Sequence, residues 1–122
     1  MISLPFVIVA ALCKSIMDKC QFHYSESVFN RLKWFDSSQS WRNKWKGGEK
    51  KNGEAFFLSS SLLVMFTDSF HLFGSIQRLM WIFAIVLYKP TIAWWADGMI
   101  LMASHMIVFH VLFTYVFRRK VK

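Results

Sequence analysis

The stretch "SLLVMFTDSFHLFGSIQRLMWIFAIVLY", residues 61–88, decides the reading of this chain. It is apolar almost throughout, yet it holds Asp68, His71 and Arg78. As a helix a run of this length would be about 42 Å long, more than enough to cross the ~30 Å hydrocarbon core of a bilayer. Ionisable groups at such depth are costly and face a partner or a cavity. At 100° per residue Asp68, His71, Ser75 and Arg78 fall on one sector of a helix. That stripe is expected to face protein.

The remaining sequence supports the same class. Apolar residues make up 55% of the 122 and aromatics 18%, above the usual soluble composition and gathered in blocks. The expected fold is all-α, a single membrane domain of three transmembrane or membrane-embedded helices. The first covers about 2–23 and the second about 55–88, read as one helix rather than two broken near Gly74. The third covers about 91–117 and is followed by a basic tail, 118–122. Lys89-Pro90 separates the last two, because proline disfavours helix for the residue before it.

Fifteen Lys/Arg against seven Asp/Glu give a net charge of +8. The cations flank the apolar blocks, seven of them lying in 24–54 and four in the tail "RRKVK". The positive-inside bias then puts loop 24–54 and the C-terminus in the cytoplasm, in a bacterial inner membrane. Trp41 and Trp45, interleaved with Arg42, Asn43, Lys44 and Lys46, make that loop a candidate contact for anionic lipid headgroups. Nucleic acid is the weaker reading of those residues, since the stretch is short and tethered to membrane helices. The N-terminal block has no cation before its apolar core, so it reads as mature structure, not a cleaved leader. Cys13 and Cys20 lie about two turns apart, too far for a bridge within one helix, and read as free thiols.

Folding the last two blocks about residues 89–90 brings Arg78 near Asp97, which predicts an ion pair. Lys14 and Asp68 fall at similar depth and predict a second, with Asp18 also in reach of Lys14 at i, i+4. The charges therefore read as a polar network within the bundle. Lys14, Asp18, Asp68 and His71 are the candidate catalytic or ion-handling groups. His71, His105 and His110 are weak metal or haem candidates. A haem needs two of them facing each other across a helix pair, and His105 and His110 point about 140° apart. No Ser-His-Asp or Cys-His arrangement, phosphate loop or zinc-finger spacing stands out, and no cofactor is predicted.

The strings "KSIMDKCQFHYSESVF", "SWRNKWK" and "FTDSFHLF" resemble a family of small uncharacterised polytopic membrane proteins of Bacteroidetes-type bacteria. The shared pattern runs Lys-Asp, Phe-His, Ser-Trp-x-Asn-Lys, then Thr-Asp-x-x-His-x-Phe. It touches Lys14, Asp18, Phe22, His23, Ser40, Trp41, Asn43, Lys44, Thr67, Asp68, His71 and Phe73. The resemblance implies a membrane protein with a polar site and carries no activity. Three-helix anchors of the succinate dehydrogenase type are similar in size and use histidines for haem. The leading expectation is an accessory or oligomeric membrane component: a homo-oligomer or a subunit of a larger complex. The alternative is a membrane-embedded enzyme or transporter using the Lys14/Asp18/Asp68/His71 cluster, and the third is a haem-bearing anchor.

Overall fold

The structure is a computed structural model and describes residues 1–120. It is all-helical, with no strand among the described residues. Helix α1 runs Leu4–Phe22 and enters on Pro5, whose fixed φ suits a first turn. Residues 23–68 form a chain of single turns around one short helical turn, α2, Ser37–Ser40. Helices α3, Ser69–Val86, and α4, Trp94–Val111, follow, and α4 continues as a wider π turn over Leu112–Val116.

Helix α1 is the centre of the molecule, packed against both α3 and α4. At one end Ser3 Oγ donates to Ala84 O at 2.7 Å, and Phe6 meets Phe83 with ring centroids 5.5 Å apart. Near the other end Lys19 Nζ lies 4.4 Å over the Phe113 ring. Thus α1 runs antiparallel to α3 and parallel to α4. Its buried residues are small or slender: Val7, Ala10, Ala11, Cys13, Ser15 and Cys20 among them. Small side chains let neighbouring backbones come close where no apolar–water contrast drives association. Gly74 serves the same end on α3, since a Cβ there would meet Met17 Cε at 3.3 Å.

The other two helices present the reverse pattern. Asp97 is the one buried residue of α4, and only Ser69, Gly74 and Ala84 are buried on α3. Their large apolar side chains point outward, with Ile85 at 73% and Trp94 at 77% of full exposure. Ser69–Val86 and Trp94–Val116 are each long and apolar enough to cross a membrane.

The second helix is shorter than the sequence suggests. It starts at Ser69, not at 55, and the intervening residues 55–68 are turns. The cause is local. Leu58 sits in the left-handed region at φ 56°, which ends any helix passing through it. Ser59 Oγ donates to Lys44 O at 2.6 Å, and the Ser60 hydroxyl donates to Glu54, so hydroxyls tie the chain to remote acceptors. From Ser69 the helix is unbroken through Gly74.

Loop and C-terminus meet at one end of the bundle. Val28 N donates to Phe117 O at 3.0 Å and Arg119 N to Glu26 O at 2.6 Å, while Phe29 stacks on Phe35 and leans on Phe117. Val28, Phe29, Leu32 and Phe35, spaced as on a helix, lie instead on successive tight turns. The tail residues 121–122 fall outside the described residues.

Candidate functional site

The four-residue cluster expected from sequence is divided into two pairs, each in its own pocket. Lys14 Nζ lies 2.8 Å from Asp18 Oδ1, one turn on along the same helix. This pair lines a groove of about 390 Å³ between α1 and α4 with His105, Met106, Phe109 and His110. Asp68 and His71 lie elsewhere, in a pocket of about 240 Å³ shared with Gln21, Ser37, Ser40 and Trp41. The expected Lys14–Asp68 pair is therefore absent, because each finds a nearer partner within its own turn.

Asp68 is the N-cap of α3. Its Oδ1 accepts from His71 N at 2.7 Å, satisfying one of the unpaired amides of the first turn. Its two oxygens also face His71 Nδ1, at 2.8 and 2.9 Å. The Asp68 side chain is 3% exposed and that of His71 37%. The carboxylate thus fixes the ring and its tautomer, with the proton on Nδ1. His71 Nε2 makes no hydrogen bond, and the residue lines the pocket. Carboxylate, imidazole and a free far nitrogen are the parts of a general base held in register.

The pocket's other polar groups come from distant segments. Gln21 is on the last turn of α1, and Ser37 and Ser40 are on α2, which Asp36 caps by accepting from Ser38 N at 3.1 Å. Ser37 Oγ reaches Cys20 O at 3.5 Å, and Asn43 Nδ2 donates to Thr67 O at 2.8 Å, so the loop is tied to both helices around the site. Gln21 and Ser37 are not singled out by the sequence, and Ser40 enters there only through the resemblance, with no place beside the Asp–His pair. The "SSQS" turn behind an Asp cap was the available signal.

Asp97 is fully buried but is not paired with Arg78, which is exposed. It accepts instead from Tyr88 Oη at 2.8 Å, Thr91 N at 2.8 Å and Ile92 N at 3.3 Å, fastening the α3–α4 turn. Local donors within a few residues outcompete an arginine that water can reach.

Among the lipid-contact candidates, Arg42 lies over the Trp41 ring at 5.2 Å and Lys44 over Trp45 at 5.8 Å. Lys50, not singled out from sequence, joins Trp45 from 6.0 Å. Lys46 is exposed and Asn43 is engaged in the loop tie described above.

The histidines do not form a haem pair. His71 lines the α2–α3 pocket, whereas His105 and His110 line the α1–α4 groove. His105 stacks against Trp81 at 5.6 Å, and its Nε2 is buried without a hydrogen-bond partner. No group of three His, Cys, Asp or Glu among the described residues is placed to hold a metal. Cys13 and Cys20 are free and buried. No family model, curated protein or solved structure matches the chain.

Proposed function

We propose that this chain is an integral protein of a bacterial inner membrane that performs acid–base chemistry at the cytoplasmic interface through Asp68 and His71. Helices α1, α3 and α4 lie in the bilayer, and loop 23–68 and the C-terminus sit at the cytoplasmic face. Outward apolar surfaces on α3 and α4 support the membrane placement, and the cations of the loop and tail support the orientation. One observation supports the chemistry: a buried carboxylate holds Nδ1 of an imidazole that lines one pocket with the hydroxyl residues Ser37 and Ser40.

The reaction class that fits is ester hydrolysis. His71 Nε2 takes a proton from water as the water oxygen bonds to the ester carbonyl carbon. Ser40 Oγ and the Gln21 amide donate to the oxygen that becomes negative. Asp68 stabilises the imidazolium, which returns the proton to the departing alkoxide as the carbon–oxygen bond breaks. A carboxylic acid and an alcohol leave, and His71 is neutral again.

The test is lipid mass spectrometry over time on the protein in nanodiscs made from bacterial lipid. His71→Gln and Asp68→Asn should each lower the cleavage rate by about 100-fold or more. Asn caps a helix as well as Asp, so the second variant should keep its thermal midpoint. Equal rates in wild type and both variants would sink the proposal.

A second reading, an accessory or oligomeric component, is favoured by the α1–α4 groove. Lys14 is midway along α1, its side chain is 43% exposed, and His105 Nε2 beside it has no partner. A charged pair facing hydrocarbon is expensive, so a second chain covering this seam would relieve it. Native mass spectrometry of the protein released from its own membranes separates the cases: a second subunit favours this reading, a bare monomer removes it.

A further inference from the structure

Beside the His71 pocket lies a second one of about 300 Å³, lined by Lys33, Ser38, Gln39, Ser40, Arg42 and Asn43. Ser40 lines both, so the α2 turn is the wall between them. Trp41 joins them from the other side, since it lines the His71 pocket while its ring carries the Arg42 guanidinium. The second pocket has two cations and no carboxylate in its lining. The nearest acid in sequence, Asp36, is already engaged by Ser38 N and by Ser38 Oγ at 2.7 Å. An arginine over an aromatic ring keeps its donor fork for an anion, which suits a phosphate.

We infer that these two pockets form one composite site for a net-anionic phospholipid. Its phosphate lies between Lys33 and Arg42, and its neighbouring acyl ester lies under His71 Nε2. The inference rests on the acid–base reading above and names its substrate class. Two features set the choice. The bundle end places both pockets where headgroups lie, with Trp41 45% exposed beside them. The cation pocket offers two cations and no carboxylate to a choline or ethanolamine ammonium, so a lipid with net negative charge is preferred over a zwitterion. The bond broken is the acyl carbon–oxygen bond, water supplying the hydroxyl of the fatty acid and the proton of the lysolipid.

Dioleoyl phosphatidylglycerol and dioleoyl phosphatidylcholine are the probes, presented in equal amounts in nanodiscs to the whole protein. Native mass spectrometry reads the lipid retained and lipid analysis reads the products. Wild type should retain and cleave phosphatidylglycerol in at least about tenfold preference. The double variant Lys33→Gln/Arg42→Gln should lose that preference, while His71→Gln should keep the bound lipid and yield no lysolipid. A preference unchanged in the double variant overturns the composite site. Retention that depends on Lys33 and Arg42, without cleavage by wild type, overturns the acid–base reading and leaves an anionic-lipid site. Displacement of the lipid by soluble glycerol phosphate at low concentration overturns the lipid as the source of the phosphate.

Discussion

Two buried aspartates show how the same side chain is put to different ends. Asp97 spends both oxygens on donors of one turn, so it has nothing left to offer a substrate. Replacing it with alanine leaves three donors without their acceptor, and the thermal midpoint in detergent should fall, while the proposed lipid cleavage should persist at permissive temperature. Tyr88, in the turn between α3 and α4, has its phenol pushed above its usual value chiefly by donating to Asp97. The protonated phenol is the bonded form. Its contribution is therefore complete below about pH 10 and is lost as pH rises through the raised value. A pH series of melting curves should show a wild-type decline above pH 10 that is shallower in Tyr88→Phe. Asp68, by contrast, shares its oxygens with an imidazole whose other nitrogen is free, which is why chemistry is assigned there. Ser3 gives a smaller case: Ser3→Ala removes the buried hydroxyl donation to Ala84 O and should cost about 1 kcal/mol.

At the scale of elements, α1 and α3 come together over Gly74. Alanine there gains helix propensity of about 1 kcal/mol, and Met17's flexible end must give a few tenths of an ångström. Gly74→Ala should thus leave stability within about 1 kcal/mol of wild type, while Gly74→Leu should destabilise by about 1–3 kcal/mol as the helices are forced apart. Thermal unfolding checks both. The outline of these helices is legible in the sequence: the apolar blocks and the Lys89-Pro90 stop locate α1, α3 and α4. The start of α3 is not, because Leu58's left-handed backbone and the hydroxyls of Ser59 and Ser60 act through contacts with Lys44 and Glu54. Asp68 three residues before His71 was a readable cap, but the shared polar stripe favoured a longer helix. The Asp–His pair of the site was legible from spacing alone. Gln21 and Ser37 are not legible, and Ser40 is so only through the resemblance, since neither periodicity nor spacing links residues 21, 37, 40 and 71.

For the whole molecule, the helix that carries most charge takes the central place. Helix α1 holds Lys14, Asp18 and Lys19, and it occupies the middle, where Lys19 is 4% exposed beneath Phe113. The two more apolar helices, with one Lys, Arg, Asp or Glu each (Arg78 and Asp97), take the outside. The order of synthesis runs against this arrangement. The ribosome delivers first the segment that belongs at the centre, before either flanking helix exists to shield its charges. Each ionised residue near a helix centre opposes insertion by about 2.5–3.5 kcal/mol. A nascent chain ending near residue 60 should therefore rest at the membrane surface and be extracted by alkaline carbonate. The full chain should resist the same wash, having drawn its first helix inward only after its last one arrived.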